Sequence, residues 1–376
     1  MHNNKLLLSI EMTNERISYI DLGAGIMILW MVLGHTVGTA TGMEIALHDL
    51  WQVTDASLIP EGVHAIINRE GKIQGMGLGS FIPSFLFFFM PWFFYKSGQF
   101  FHKRSIKDEW KKDWNKLMRQ FLIWSAIGYV LFITFRLWNG GLTLRSATYS
   151  MLRSFFLNGY IDCNLPLWFL FSLFIVRQVA NIILPQEGDS YYWQKCICII
   201  LSGFGMAIAS YCLNLRLLPL YVANSSAGLA YFTFGYCLRN HETKWWLLVP
   251  CIMVYVACCI WGFPGIDMRS NSCANLGKYL ITIPCCCAGI VTFNMFWRLV
   301  SKYLHYLSLP FECVGKYAMM IYVSHAIIYK SVSDILIIGD FKNMMPYTFW
   351  IIIGAYVVFL PTICLLSNKI HRNRNI

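Results

Sequence analysis

Apolar residues run in long blocks along this chain, separated by short clusters of charged and polar residues. Ten blocks fall at about residues 17–40, 81–101, 120–138, 166–184, 196–214, 219–238, 245–262, 279–298, 312–331 and 347–367. About 20 apolar residues span the hydrocarbon core of a bilayer, so ten crossings use about 200 residues. The pattern predicts an all-α, polytopic membrane bundle of about ten transmembrane helices. It forms one domain over residues 1–376, with an N-terminal segment at 1–16, an outer loop at 41–80, a basic loop at 102–119 and a tail at 368–376. The first apolar run, Leu6 to Ile10, is too short for a cleaved signal, and Glu11, Glu15 and Arg16 follow at once.

Orientation follows from Lys and Arg in the short loops. Lys103, Arg104, Lys107, Lys111, Lys112, Lys116 and Arg119 follow the second block. Arg239 and Lys244 follow the sixth, Arg298 and Lys302 the eighth, and the tail carries Lys369, Arg372 and Arg374. With ten crossings these all share one side, which predicts both termini in the cytoplasm. The loop at 41–80 is acidic (Glu44, Asp49, Asp55, Glu61, Glu70), as an outside loop allows. Residues 185–194 are an inside loop with little charge.

Composition agrees. Hydrophobic residues make up 57% and charged residues 13%, half the share of about 25% in globular proteins, which excludes a pair of soluble domains. The net charge of +11 does not imply nucleic acid, because the basic residues lie between apolar blocks and not on one soluble face. Of the 14 cysteines, Cys196, Cys198, Cys251, Cys258, Cys259, Cys285, Cys286 and Cys287 lie inside apolar blocks, where a reduced thiol behaves as a small hydrophobe. Cys163 and Cys273 fall in outside loops, leaving room for one bridge. No C-x-x-C pair has zinc-ligand spacing, so no metal is expected.

The glycines of 'GMGLG' at 75–79 have no preceding strand pattern and no following Lys-Ser/Thr, so they make no nucleotide loop. The stretch 'KRSIKDEWKKDWNKLMR' has the pattern of a basic amphipathic helix with Trp110 and Trp114, suited to anionic lipid. Contact with the phosphates of a cytoplasmic cofactor is a second use for it.

Ionisable groups inside apolar blocks are costly and point to function. Asp21, His35, Lys96, Glu312 and His325 are such groups. Asp21 and Glu312 sit near block ends, where capping or pairing with interfacial cations also accounts for them. Lys96 is close enough to the inner surface to snorkel. His35 and His325 have no such escape. A histidine bonded to a neighbouring helix is the plain alternative to a functional one.

The first block, 'RISYIDLGAGIMILWMVLGHT', resembles the opening signature of the acyltransferase-3 family of membrane acyltransferases, here Ile20-Asp21, Gly25 and Gly34-His35. 'FLFFFMPWFFYKSGQFFHKRS' is similar to its Met-Pro-x-Phe-Phe-x-x-Ser-Gly segment, with Met90, Pro91, Phe93, Phe94, Ser97 and Gly98. 'LPLWFLFSLF' (165–174) and 'VGKYAMMIYVSH' (314–325) resemble two later motifs, in the same order. The resemblance implies transfer of an acyl group, usually acetyl, from cytoplasmic acetyl-CoA to a hydroxyl of a surface or lipid-linked saccharide. The setting it implies is a bacterial inner membrane.

By that resemblance His35 is the catalytic base; Asp21 and Lys96 are expected to shape its cytoplasmic approach, and His325 to assist. Lys96, Ser97, Lys103 and Arg104 are the expected donor-binding residues. The lipid bilayer and the saccharide are the expected partners, while the oligomeric state stays open. The chemistry fits: a hydroxyl attacking a thioester must lose a proton, and a neutral imidazole in a dry site accepts it. The developing oxyanion needs donors or positive charge aimed at it.

Two positions depart from the family pattern. Ala24 stands where the family places Lys or Arg, and Phe89 where many members have His. Ala24 and Lys96 lie at similar depths along their blocks, so Lys96 is a candidate to supply the missing cation. A saccharide transporter and a non-catalytic member of the family are the rival readings. Ser97 and Ser324 read as packing residues before nucleophiles; Phe87, Phe88, Phe93 and Phe94 read as packing before an acyl-chain pocket, and Trp168 as an interface anchor or a stacking platform for sugar.

Overall fold

The computed structural model describes residues 2–47, 65–67, 73–76, 86–138, 143–160, 162–213, 219–239, 244–260 and 266–372. The helices are α1 (His2–Leu47), α2 (Phe89–Gln99), α3 (Ile106–Asp113), α4 (Arg119–Trp138), α5 (Leu144–Asn158), α6 (Trp168–Ile183) and α7 (Tyr192–Cys212). After them come α8 (Leu220–Leu238), α9 (Leu248–Ile260), α10 (Leu276–Tyr303), α11 (His305–Lys316), α12 (Ala318–Ile338) and α13 (Thr348–Arg372).

Each apolar block of the sequence holds a helix. Among the described residues, seven helical stretches are long and apolar enough to cross a bilayer, at 19–40, 106–135, 164–183, 192–212, 276–303, 318–338 and 342–363. The chain is a multi-pass helical membrane protein. The three other blocks fall short individually: α2 has 11 residues and α9 13, while α8 has 19 but carries Asn224, Ser225, Ser226 and Thr233.

Three features depart from the sequence pattern. A short antiparallel hairpin, β1 (Ala65–Ile67) with β2 (Ile73–Met76), lies in the 41–80 loop. The basic stretch is not a separate surface helix. Through one π turn at Trp114–Met118 it runs straight into α4, and its carboxylates Glu109 and Asp113 are buried. Cys258 and Cys285 form a disulfide joining α9 to α10, where free thiols were expected; these helices are close neighbours and bring the two Cα atoms to 6.3 Å. Cys273 is a free thiol, and the side chain of Cys163 lies outside the described residues.

The chain divides into two compact units. One comprises residues 1–26, 87–125 and 150–316; the other comprises 27–86, 126–149 and 317–376. In the first, α8 packs against α2, α6 and α7, and most of its residues are buried. This explains its polarity: a helix sheathed by protein needs small residues for close approach more than it needs lipid-facing bulk. The approach to α2 is reciprocal. A Cβ on Gly98 would overlap the Phe232 carbonyl, and one on Gly235 would overlap the Tyr95 carbonyl.

The same arrangement joins α1 to α11, where Gly25 faces the Phe311 carbonyl and Gly315 faces the Asp21 carbonyl. In the second unit α12 packs on α13. Met43, Leu336 and Met345 form a small core there, flanked by Val332 and Ile351.

Candidate functional site

In the first unit, Lys96 occupies the last turn of α2, where a cation complements the helix dipole. Its Nζ lies 3.7 Å from Asp21 Oδ1 on α1 and 5.7 Å from the centroid of the Trp92 ring. Trp92 is fixed in turn, donating from Nε1 to Asn294 Oδ1 at 2.8 Å. The ammonium is therefore paired inside the protein. Ala24, one turn beyond Asp21, is fully buried. Glu312 on α11 is also buried and accepts a 2.5 Å hydrogen bond from the Ser308 hydroxyl, a local role for one of the charges singled out in the sequence.

A second network lies nearby in the same unit, around Arg177 on α6. Its Nε donates to Asp113 Oδ1 at 2.8 Å, Nη2 donates to Glu109 Oε1, and Nη1 donates to Ser97 Oγ at 3.4 Å. Gln178 donates to the other Asp113 oxygen at 2.9 Å, and Lys112 and Arg104 approach Glu109 at 3.3 and 3.6 Å. The guanidinium also sits 5.2 Å from the Phe101 ring centroid. Two buried carboxylates with the guanidinium between them thus fasten α3 to α6.

Arg177 is absent from the residues picked out in the sequence. An arginine within an apolar block was a usable signal. Its partners were hidden in a stretch that reads as basic and surface-lying.

The remaining expected donor-binding residues are tied into this framework. Lys103 donates to the Leu184 carbonyl at 2.6 Å, just beyond the C-terminal end of α6. The backbone of Arg104 exchanges two hydrogen bonds of 3.0 Å with the Asn181 side chain. Ser97 is an acceptor for Arg177, which suits anchoring better than nucleophilic attack. Lys107, Lys111 and Lys116 are exposed.

In the second unit, α1 and α12 bring the two histidines together. The rings of His35 and His325 stand 5.3 Å apart between centroids, at 34°. Tyr329, one turn along α12 from His325, stacks on His35 at 5.6 Å and 16°. His325 is fully buried, and its Nδ1 lies 2.6 Å from the Tyr322 carbonyl in its own helix. The bond is thus to backbone within one helix, not to a neighbouring helix. The Tyr356 hydroxyl donates to the His325 carbonyl at 3.3 Å.

A carbonyl only accepts, so Nδ1 carries the proton and Nε2 holds the lone pair of the neutral ring. Nε2 is buried and has no hydrogen-bond partner among the described residues. His35 is only partly buried. The arrangement offers an accessible imidazole backed by a second one whose tautomer is fixed by the helix. This is suited to moving a proton.

Trp168 is buried against Phe169 and does not serve as an interface anchor. Phe88 packs on Tyr255 and Phe293, and Phe94 on Phe169, as packing residues should. Ser324 returns its hydroxyl to the Met320 carbonyl. Among the described residues no group of three metal-ligating side chains converges.

A family model described as an acyltransferase domain, that of the acyltransferase-3 family, matches residues 17–366. The chain belongs to that family. No curated protein and no solved structure matches it.

Proposed function

We propose that this acyltransferase-3 protein moves an acyl group, acetyl as the leading case, from cytoplasmic acyl-CoA to a hydroxyl of a cell-surface or lipid-linked saccharide. On this reading it crosses a bacterial inner membrane ten times, with both termini in the cytoplasm. The observation that carries the chemistry is the imidazole pair of His35 and His325.

The donor supplies an activated acyl carbonyl. His35 accepts the acceptor's hydroxyl proton as the new C–O bond forms. It returns the proton to the departing sulfur as the C–S bond breaks, so the imidazole is regenerated. His325 backs it with a lone pair at Nε2, its ring centroid 5.3 Å from that of His35.

The basic residues fit an anionic donor. Lys107, Lys111 and Lys116 are exposed cations on the helical stretch that Arg177 holds in place. Lys96 sits beside Asp21, one turn from Ala24, and this supports Lys96 as the replacement for the cation that Ala24 lacks. That pairing favours an active enzyme over a non-catalytic member.

The test is mass spectrometry of surface glycans from a deletion strain complemented with wild type or His35→Ala at equal expression. Acetyl mass restored only by wild type supports acyl transfer with His35 at its centre. Restoration by both removes His35 from the chemistry. Loss of whole polymer with unchanged acetyl content points to export.

A further inference from the structure

Tyr329 follows His325 by one turn of α12, so the two side chains share one face of that helix. In the second unit that face meets α1. The Tyr329 ring stacks on His35 with centroids 5.6 Å apart and 16° between planes, whereas His325 meets His35 at 34°. Tyr329 also touches His325, at 6.0 Å and 49°, which closes a triangle of three rings. The turn of α12 that carries the triangle is held from α13, where Tyr356 is buried and donates to the His325 carbonyl. Tyr329 itself is half-buried, as is His35.

His35 changes charge during the transfer step, and this decides what a stacked phenol ring contributes. A neutral imidazole gains only packing from it. Once His35 holds the acceptor's hydroxyl proton it is a cation, and the face of an aromatic ring carries negative potential. A cation within about 6 Å of a ring centroid is attracted to that face, most strongly where water is excluded. The contact therefore strengthens as the proton arrives and relaxes when it passes to the departing sulfur. An interaction stronger in the transition state than in the ground state is the kind that raises kcat.

We infer that Tyr329 is a positioning residue for the acyl transfer: its ring face orients the His35 imidazole and stabilises the charge that His35 gains. The inference rests on His35 as the base. The role belongs to the ring and not to the hydroxyl, because stacking turns the face of the phenol toward His35. A leucine at this position would fill space without offering that face, whereas a phenylalanine would keep it.

The test is the initial rate of acetyl transfer from radiolabelled acetyl-CoA in membrane vesicles of a deletion strain, with each full-length variant at an equal amount of folded protein. Tyr329→Phe should keep the rate within about two-fold of the parent's. Tyr329→Leu should lower kcat about 2- to 30-fold with KM for acetyl-CoA unchanged. Phenylalanines with increasing ring fluorination, placed at position 329, withdraw charge from the face at nearly constant shape. With them kcat should fall step by step from the Tyr329→Phe value. A rate that stays level across the fluorine series overturns the inference, because packing alone does not sense ring charge. So does a Tyr329→Phe variant as slow as Tyr329→Leu, which would assign the role to the hydroxyl. His35→Ala in the same vesicles separates the premise from the inference. A His35→Ala loss beside a level fluorine series overturns the role of Tyr329 alone. A parent without transfer, or His35→Ala at the parent's rate, removes the base and the role of Tyr329 together.

Discussion

Arg177→Met replaces the guanidinium by an apolar chain of similar length and strands Glu109 and Asp113, whose exposures are 0% and 1%. Breaking a buried ion pair from one side costs about 3–5 kcal/mol, because the remaining charge has neither water nor partner. Glu109 would retain Lys112 at 3.3 Å and Arg104 at 3.6 Å, whereas Asp113 would retain Gln178 at 2.9 Å. That residual support places the expected loss at the lower end, about 3 kcal/mol.

The assay is reversible unfolding of the purified protein in mixed micelles, followed by tryptophan fluorescence. Adding Glu109→Gln and Asp113→Asn to Arg177→Met removes the stranded charges and should recover at least half of the loss. Arg177→Met within about 0.5 kcal/mol of the parent, the range of an ordinary surface change, would refute the buried network. A triple variant no more stable than the single one would refute the electrostatic explanation.

Other outcomes follow from the same geometry. His35→Ala should lower acyl transfer about 10²- to 10⁴-fold, the usual contribution of a general base, with unfolding midpoints unchanged; full activity would exclude the proposed role. Lys96→Ile should reduce activity in a donor-transfer assay, and adding Ala24→Lys should restore it; activity unchanged in Lys96→Ile ends the replacement idea. Gly98→Ala drives a methyl into the Phe232 carbonyl and should cost about 1–3 kcal/mol by overpacking. Gly235→Ala acts at the same α2–α8 contact, so the two losses should not add; strict additivity in unfolding measurements would argue against the shared contact.

The helical membrane character was legible in the sequence because hydropathy is a local sum. Each block reports its own transfer to lipid whatever its neighbours are. The ordered motifs around His35, Ser97, Trp168 and His325 likewise pointed to the acyltransferase-3 family. What single blocks could not show is which faces meet. Whether Gly25 and Gly98 serve chemistry or close approach depends on the carbonyls opposite them, and those belong to residues 311 and 232.

Partner choice is decided in the same way. Asp21 with Lys96, His35 with His325, and Arg177 with Glu109 and Asp113 each join distant stretches of chain. Such pairs depend on how each helix is rotated about its axis when it packs, a quantity that hydrophobicity along the chain does not encode. The polarity of α8 makes the same point: it lowers the membrane signal of one block and is explained by the helices that surround it.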